Sequence, residues 1–415
     1  RRVLERDRFV LHRLIALLGR RLLHLLHELR RHSADDLLPR LVRNRGEGRG
    51  EELRPDAATA PALHEEEDWT PLIDLALQHG LSPLLARRAL ALAAGAVPDA
   101  LRAAFEHHRE DNDARNRDLA HILFRLLDAL SGQGIDALPF KGQTLGVIAF
   151  GDYRHRRAGD VDLLLRLRDR EAACVVLEAL GYRELTEREL GRAMTPVEWA
   201  VCRRYQCEYA YYSERDRTLV EPHWAFAPRT LAAESDYERM WLRAETVEIE
   251  GRVVPTLART DLLAALCIHG SKHEWVRLQW IADVAALLHR HPDLDLDGIL
   301  RDARTRGLER MVLLGIGLAR DVLGVTLPAA ASRQVDADAE ARALMDVVKT
   351  RLATAAPVES SVFRPSRFRW RMRERWRDRL NYFVRTIATP TLPLMLAGSA
   401  LRVRVAWHSA PQKGP

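Results

Sequence analysis

The sequence predicts an α/β (α+β) protein, in which a small mixed β-sheet core is flanked by helical N- and C-terminal regions. Three observations carry this expectation. The hydrophobic period changes after Ser131-Gly132-Gln133-Gly134, from helical spacing to short apolar runs. A strand–helix–strand unit and then two hairpins follow, the element order of a mixed sheet. Beyond Thr260 the helical spacing returns.

Taken in order, residues 8–31 carry leucines at helical spacing with Arg and His between them. The segment 1–42 therefore reads as a basic amphipathic helix, suited to a membrane surface, a partner or a docking position on the fold. Residues 43–67 are polar and without period, the composition of a flexible linker. Residues 68–130 read as a helical region. Thr70-Pro71 supplies an N-cap and a first-turn proline, Gly80 ends that helix, and Ser82-Pro83 begins the next of a series.

In the core, 131–258, the reading is a strand at 135–141, a helix at 143–150 and a strand at 160–165. A helix at 169–180, stopped by Gly181, comes next. Strands at 205–213 and 219–226 are joined by the turn Glu214–Arg217, and a last hairpin spans 246–257 around Gly251. Residues 259–330 form a second helical region, and 331–415 an Arg- and aromatic-rich C-terminal region.

The composition excludes several classes. The chain has 415 residues, 47% hydrophobic and 29% charged, as in ordinary globular proteins of two or three domains. No run reaches the ~18 apolar residues of a spanning helix, because Arg13, Arg20 and Arg21 interrupt the leucine-rich start. There is no signal-peptide pattern. Four scattered cysteines with no Cys-x-x-Cys pair argue against a disulfide framework or a zinc site. A cytoplasmic, reduced protein is expected. The first methionine is Met194, so the sequence is expected to start within a fragment or at an alternative start codon.

The net charge of +6 is local: residues 1–50 hold thirteen Arg against six acids, and the remainder is close to neutral. Nucleic acid is therefore a weak expectation as partner. Only four of the 64 basic residues are lysine, among them Lys141 and Lys272, which singles these out against a drift toward arginine.

The strongest chemical signal is Asp160-Val161-Asp162, opening an apolar strand. Residues two apart share a strand face, so the two carboxylates stand about 7 Å apart at their roots, an arrangement a divalent cation relieves. A solvated strand entrance is the plain alternative. Before it, Lys141-Gly142-Gln143-Thr144 lies where a strand ends and a helix begins. Glycine there lets backbone N–H groups approach an anion, and the lysine adds a compact positive charge. Together the two motifs give the phosphate end and the metal end of a nucleotide-handling site.

His269, Lys272 and His273 form a further cluster, with the histidines one turn apart if one helix runs through them. No third ligand is evident, so structural histidines are expected, with Lys272 available to a phosphate or an acceptor. Asp283 falls three turns beyond Lys272 on the same extrapolated helix, where it would extend a polar stripe along a cleft. Trp275 and Trp280 read as core or cleft wall. The stretch Arg364–Arg379, eight Arg with Phe368, Trp370 and Trp376, fits either base stacking or a helix packing its tryptophans with arginines in water. Packing is the expectation.

The segment LPFKGQTLGVIAFGDYRHRRAGDVDLLLRLRDREAACVVLEALGY resembles the core of the uncharacterised nucleotidyltransferase family, within the DNA polymerase β-type nucleotidyltransferase superfamily. DWTPLIDLALQHGLSPLLARRAL before it, and EPHW and CIHGSKHEWVRLQWIADVAALL after it, are similar to that family's recurring blocks. The resemblance implies a small mixed-sheet nucleotidyltransferase core at 131–258. It implies a metal pair at Asp160 and Asp162 with a third acid, Glu221, in a strand that Pro222 would place at a sheet edge. Gly142 matches the signature glycine, whereas Gln143 replaces its small second residue.

The activity so implied uses Mg2+ (or Mn2+) and an NTP such as ATP, with Lys141, Gly142, Gln143 and Thr144 around the triphosphate. Arg156 or Arg157 would sit on the leaving pyrophosphate. His223, His269, Lys272, His273 and Asp283 would be the possible cleft or acceptor residues. The acceptor is open. A catalytically silent nucleotide-binding scaffold or a nucleic-acid-directed module are the alternatives.

Overall fold

The computed structural model of the protein describes residues 70–92, 97–231, 235–354 and 366–388. The basic helix of 1–42 and the linker of 43–67 lie outside the described residues. Helices α1 (Thr70–Gln78), α2 (Ser82–Leu90) and α3 (Asp99–Ser131) open the fold. The expected series of short helices up to residue 130 is instead closed by one 33-residue helix, α3, which contains neither Gly nor Pro to break it.

The sheet follows. Strands β1 (Ala137–Pro139), β2 (Asp160–Leu165), β3 (Arg183–Glu184), β4 (Tyr211–Ser213) and β5 (Thr218–His223) lie in the order β1-β2-β5-β4-β3. Only β2 and β5 are parallel; the other pairs are antiparallel. Between strands come α4 (Gly142–Phe150), α5 (Arg170–Ala179), α6 (Leu185–Leu190) and α7 (Pro196–Tyr205). After α8 (Tyr237–Leu242), the strands β6 (Glu245–Ile249) and β7 (Arg252–Thr256) form the separate hairpin expected around Gly251.

Two expectations are corrected here. The strand at 205–213 is confined to 211–213, because a capping box of Thr195 and Glu198 with Pro196 behind it starts a helix that runs to Tyr205. The strand bearing Glu221 is not at an edge but third of five. Pro222 fits there because its carbonyl accepts from the Tyr209 N–H (3.2 Å), so its nitrogen faces the β4 side, where β4 begins only at Tyr211. The one donation that proline withholds, toward the Tyr209 carbonyl, falls outside the named strand.

The sheet separates two cores. Val161, Leu163, Leu165 and Val220 pack with Leu119, Leu123 and Leu126 of α3 and Leu177 of α5. The alternate residues of β2 and β5 face the helical half, built from α9 (Arg259–Lys272), α10 (Leu278–Arg290), α11 (Leu296–Arg306), α12 (Glu309–Leu323), α13 (Ala329–Ala337) and α14 (Ala339–Thr354). Two further helices, α15 (Arg367–Arg371) and α16 (Trp376–Ala388), lie in the Arg-rich stretch. No helix among the described residues is long and apolar enough to cross a membrane.

The packing expected of the Arg-rich stretch is inverted: Arg369 and Arg373 are buried, while Trp370 and Trp376 are exposed. The stretch is two helices and not one, and the acids Glu274 and Asp378 draw the arginines inward (Arg369 Nε–Glu274 3.4 Å, Arg373–Asp378 3.5 Å).

One buried histidine ties the N-terminal helices to the helical half. His79 Nδ1 accepts from the Leu278 N–H (3.3 Å) and its carbonyl from the Gln279 N–H (3.2 Å), satisfying two orphan donors at the start of α10. Burial first, and then the Arg277 charge, push His79 down to about 4. A folded value below the ordinary 6.5 means that the full contribution to stability is present above pH 6.5 and is lost as pH falls through 4. A shift of this size is worth about 3 kcal/mol. Urea unfolding should therefore weaken between pH 7 and pH 4.5, and His79→Asn, whose Oδ1 can still accept from Leu278, should show a smaller drop. Equal drops in both proteins would remove His79 from the account.

Candidate active site

The site grows from the β2–β5 pair. Parallel register sets Asp162 beside Glu221 and Leu164 beside His223, so Asp160, Asp162, Glu221 and His223 share the face turned to the helical half. Asp162, Glu221 and His223 are buried; Asp160, at the mouth of β2, is half-buried. β1 runs antiparallel to β2 and ends at Pro139 opposite Leu163, which brings Lys141 back to Asp162.

There Lys141 Nζ lies 2.6 Å from Asp162 Oδ1. Burial would lower the lysine's pKa, but Asp162, Asp160 and Glu221 outweigh it and hold the ammonium charged. His223 Nε2 lies 2.9 Å from the same Asp162 oxygen and 3.6 Å from Glu221. Its Nδ1 lies 3.0 Å from Glu208, off the line of a hydrogen bond. Burial again works downward, yet the Glu208 charge and the contacts to Asp162 and Glu221 push His223 up to about 10, so the ring is an imidazolium at neutral pH. Lys272, in the last turn of α9, closes the chain at 3.0 Å from Glu208 and is raised above its ordinary value by Cys207 and Glu208 against burial. The result is a largely enclosed file of alternating charge, Lys141–Asp162–His223–Glu208–Lys272, with Glu221 alongside.

Gly142 begins α4 with φ of 52°, a conformation that favours glycine, and a Cβ there would stand 3.4 Å from the Asp160 carbonyl. The next two residues turn inward. Gln143 is buried and donates to Asn116 Oδ1 (3.3 Å), and the Thr144 hydroxyl donates within reach of the Pro139 and Lys141 carbonyls (3.2 and 3.1 Å). Arg156 is likewise engaged, gripping Asp283 of α10 through two hydrogen bonds of 2.8 and 2.9 Å. Arg157 is half-buried and donates to the Leu77 carbonyl (3.3 Å).

His269 and His273 stand together, ring centroids 4.8 Å apart, against Trp280. They do not share one long helix with Asp283. Glu274 and Trp275, both at φ 55°, end α9 and redirect the chain into α10, so Asp283 sits on a different helix from Lys272. Trp275 is core: it is fully buried, and a Cβ on Gly270 would meet its ring at 2.6 Å.

Sequence reasoning missed Glu208 and Arg277. Glu208 had a signal, as the acid within the apolar and aromatic run after Gln206. Arg277, one of 60 arginines, had none.

Asp162, Glu221 and His223 each offer a donor atom within 4.8 Å of the others. Asp162 Oδ2 is buried with no hydrogen-bond partner among the described residues, the mark of a carboxylate short of one ligand. Hard carboxylate oxygens from Asp162 and Glu221, with Asp160 on the same strand face, suit Mg2+ or Mn2+. The residues present thus fit a hard divalent cation. In comparisons with known proteins, the profile of the family described as uncharacterised nucleotidyltransferase matches residues 65–324. Searches of curated proteins and of solved structures returned no significant match.

The Arg156–Asp283 pair has a structural consequence. Arg156→Gln strands a buried carboxylate and should cost about 3–5 kcal/mol of unfolding free energy. The double change Arg156→Gln with Asp283→Asn should recover part of it. A single variant as stable as wild type in urea would show that the pair does not clamp α10 to the β2 loop.

Proposed function

The chain belongs to the uncharacterised nucleotidyltransferase family, which makes it an enzyme of nucleotidyl transfer, and we propose that it moves an NMP from an NTP to an acceptor hydroxyl with Mg2+ or Mn2+. The hydroxyl oxygen forms the new bond to the α-phosphorus, the bond to the bridging oxygen breaks, and pyrophosphate leaves.

The observation that carries this reading is the register of Asp162 beside Glu221, with Asp160 on the same face and the Lys141-Gly142 turn adjoining. Asp160, Asp162 and Glu221 would hold the cation, which when bound neutralises triphosphate charge and acidifies the acceptor hydroxyl. Gly142, without a side chain, would let backbone N–H groups at the start of α4 meet phosphate oxygens. Lys141 neutralises Asp162 in the protein as it stands; once that carboxylate is otherwise engaged, the ammonium is within reach of a phosphate. Glu221 would take the hydroxyl proton on a carboxylate oxygen. His223, charged and held between Asp162 and Glu208, fixes the rotamer of Asp162 and is a positioning residue.

Arg156, occupied by Asp283, supports the β2 loop in this reading, and Arg157 remains the arginine available to the leaving pyrophosphate. Gln143 and Thr144 build the turn from within, so their backbone and not their side chains would meet the nucleotide.

The test is label transfer. Wild type and Asp160→Asn are incubated with Mg2+, α-labelled ATP, CTP, GTP or UTP, and a cell extract as acceptor pool. Wild type should move label to a new species, and Asp160→Asn should lose at least about a hundredfold of that rate with its melting temperature little changed. An active Asp160→Asn protein would sink the assignment.

A further inference from the structure

The turn between α9 and α10 builds a second surface beside the acidic cluster. His269 from the last turn of α9, His273 at its end and Trp280 from α10 pack as one aromatic cluster, tilted or edge-on to one another, with centroids 4.8, 5.2 and 5.3 Å apart. All three side chains are half-buried. Yet protein encloses the two histidines enough that burial, reinforced by Lys141 and Lys272, drives both well below their ordinary value. Half-buried, each ring keeps part of its surface open to solvent. At neutral pH this wall is therefore uncharged and aromatic.

Arg277 stands three residues before Trp280, at the start of the same helix. Its guanidinium is half-buried and has no hydrogen-bond or ion-pair partner among the described residues. Burial and the like charge of Arg157 press on it, with the Asp160 carboxylate the counter-charge acting on it. A cation desolvated without a partner is costly, and an anion beside it would relieve that cost. A neutral aromatic cluster one helical turn from an arginine without a side-chain partner among the described residues complements a nucleotide, which is aromatic at one end and anionic at the other.

We propose that this surface is the nucleotide subsite, with the base stacked on the solvent-facing part of the His269–His273–Trp280 wall and a phosphate oxygen on Arg277. The proposal rests on the nucleotidyl-transfer reading and names the part of the site that holds the nucleoside. An aromatic acceptor is the other source of a flat ring, and the experiment separates the two.

Calorimetric titrations of the full chain would use ATP with Mg2+ and, separately, inorganic tripolyphosphate, which has the charge but no ring. Wild type should bind both. Trp280→Leu should weaken ATP roughly five- to a hundredfold, the value of one base stack, and leave tripolyphosphate within about twofold. Trp280→Phe, which keeps a ring, should stay close to wild type, and Arg277→Gln should weaken both ligands about tenfold. Should Trp280→Leu melt early, His273→Asn truncates the same wall and should repeat the selective loss. ATP affinity untouched by both truncations, as an aromatic acceptor on the wall would give, overturns the subsite alone. Equal weakening of ATP and tripolyphosphate by both does the same. Wild type that binds neither ligand overturns the nucleotidyl-transfer reading and the subsite with it.

Discussion

Asp162 and Glu221 lie side by side on neighbouring parallel strands, and much of the molecule is arranged around the cost of that adjacency. Their oxygens come within 4.8 Å of each other. Two charges at such a distance repel by about 3 kcal/mol even at an effective dielectric near 20, before desolvation is counted. Three cations answer them, two buried and Lys141 half-buried, each delivered by a different element. Lys141 comes from the β1–α4 junction, His223 from the end of β5 and Lys272 from the last turn of α9. Glu208, ahead of β4, links the second to the third. The sheet half and the helical half therefore meet through a file of charges, and a rotation between them would strand at least one buried ion. Arg156 with Asp283 repeats the device on the far side of β2.

How legible this was depended on whether the chemistry was local. DVDLLL announces a buried strand with acids at its mouth, because alternation and the Asp-x-Asp spacing lie in consecutive residues; the strand falls where expected, at Asp160–Leu165. The glycine at 142 was readable for the same reason, as a strand-to-helix junction that needs a bare backbone. The role of Pro222 was not local. A proline withholds a donor on one side only, and what lies on that side depends on where β4 starts, eleven residues earlier in the chain. The partnership of Arg156 with Asp283 spans 127 residues, and no spacing rule reaches that far. His223 read as a neighbour of the third acid; that it is held charged by three carboxylates follows from the register alone.

The α9–α10 turn shows why an extrapolated helix failed. From His269 to Asp283 the sequence holds no Gly–Pro pair to mark a break, and only Gly270 within α9. The chain nevertheless turns at Glu274 and Trp275, two non-glycine residues at φ 55°. Such conformations cost about 1–3 kcal/mol each and persist only where the surroundings over-determine them. Here they do. The Trp275 ring fills the space left by Gly270 and Gly315, which is closed to any side chain at either position. Glu274, buried, receives Arg351 at 2.6 Å from α14 and the Ser366 hydroxyl, with Arg369 at 3.4 Å.

These last contacts change the meaning of the Arg-rich C-terminal stretch. Its composition suggested a charged face turned to water, but Arg369 and Arg373 are among the most buried polar residues of the fold. A guanidinium can be buried when acids await it in fixed geometry, and Glu274 and Asp378 provide them. The family match ends at residue 324, whereas Arg351, Ser366 and Arg369 lie beyond it. Residues outside the matched region therefore hold the strained turn from which His273 and Arg277 project. The geometry of the helical wall in this chain is set from both sides, by the nucleotidyltransferase region that supplies its side chains and by the C-terminal helices that pin the bend between them.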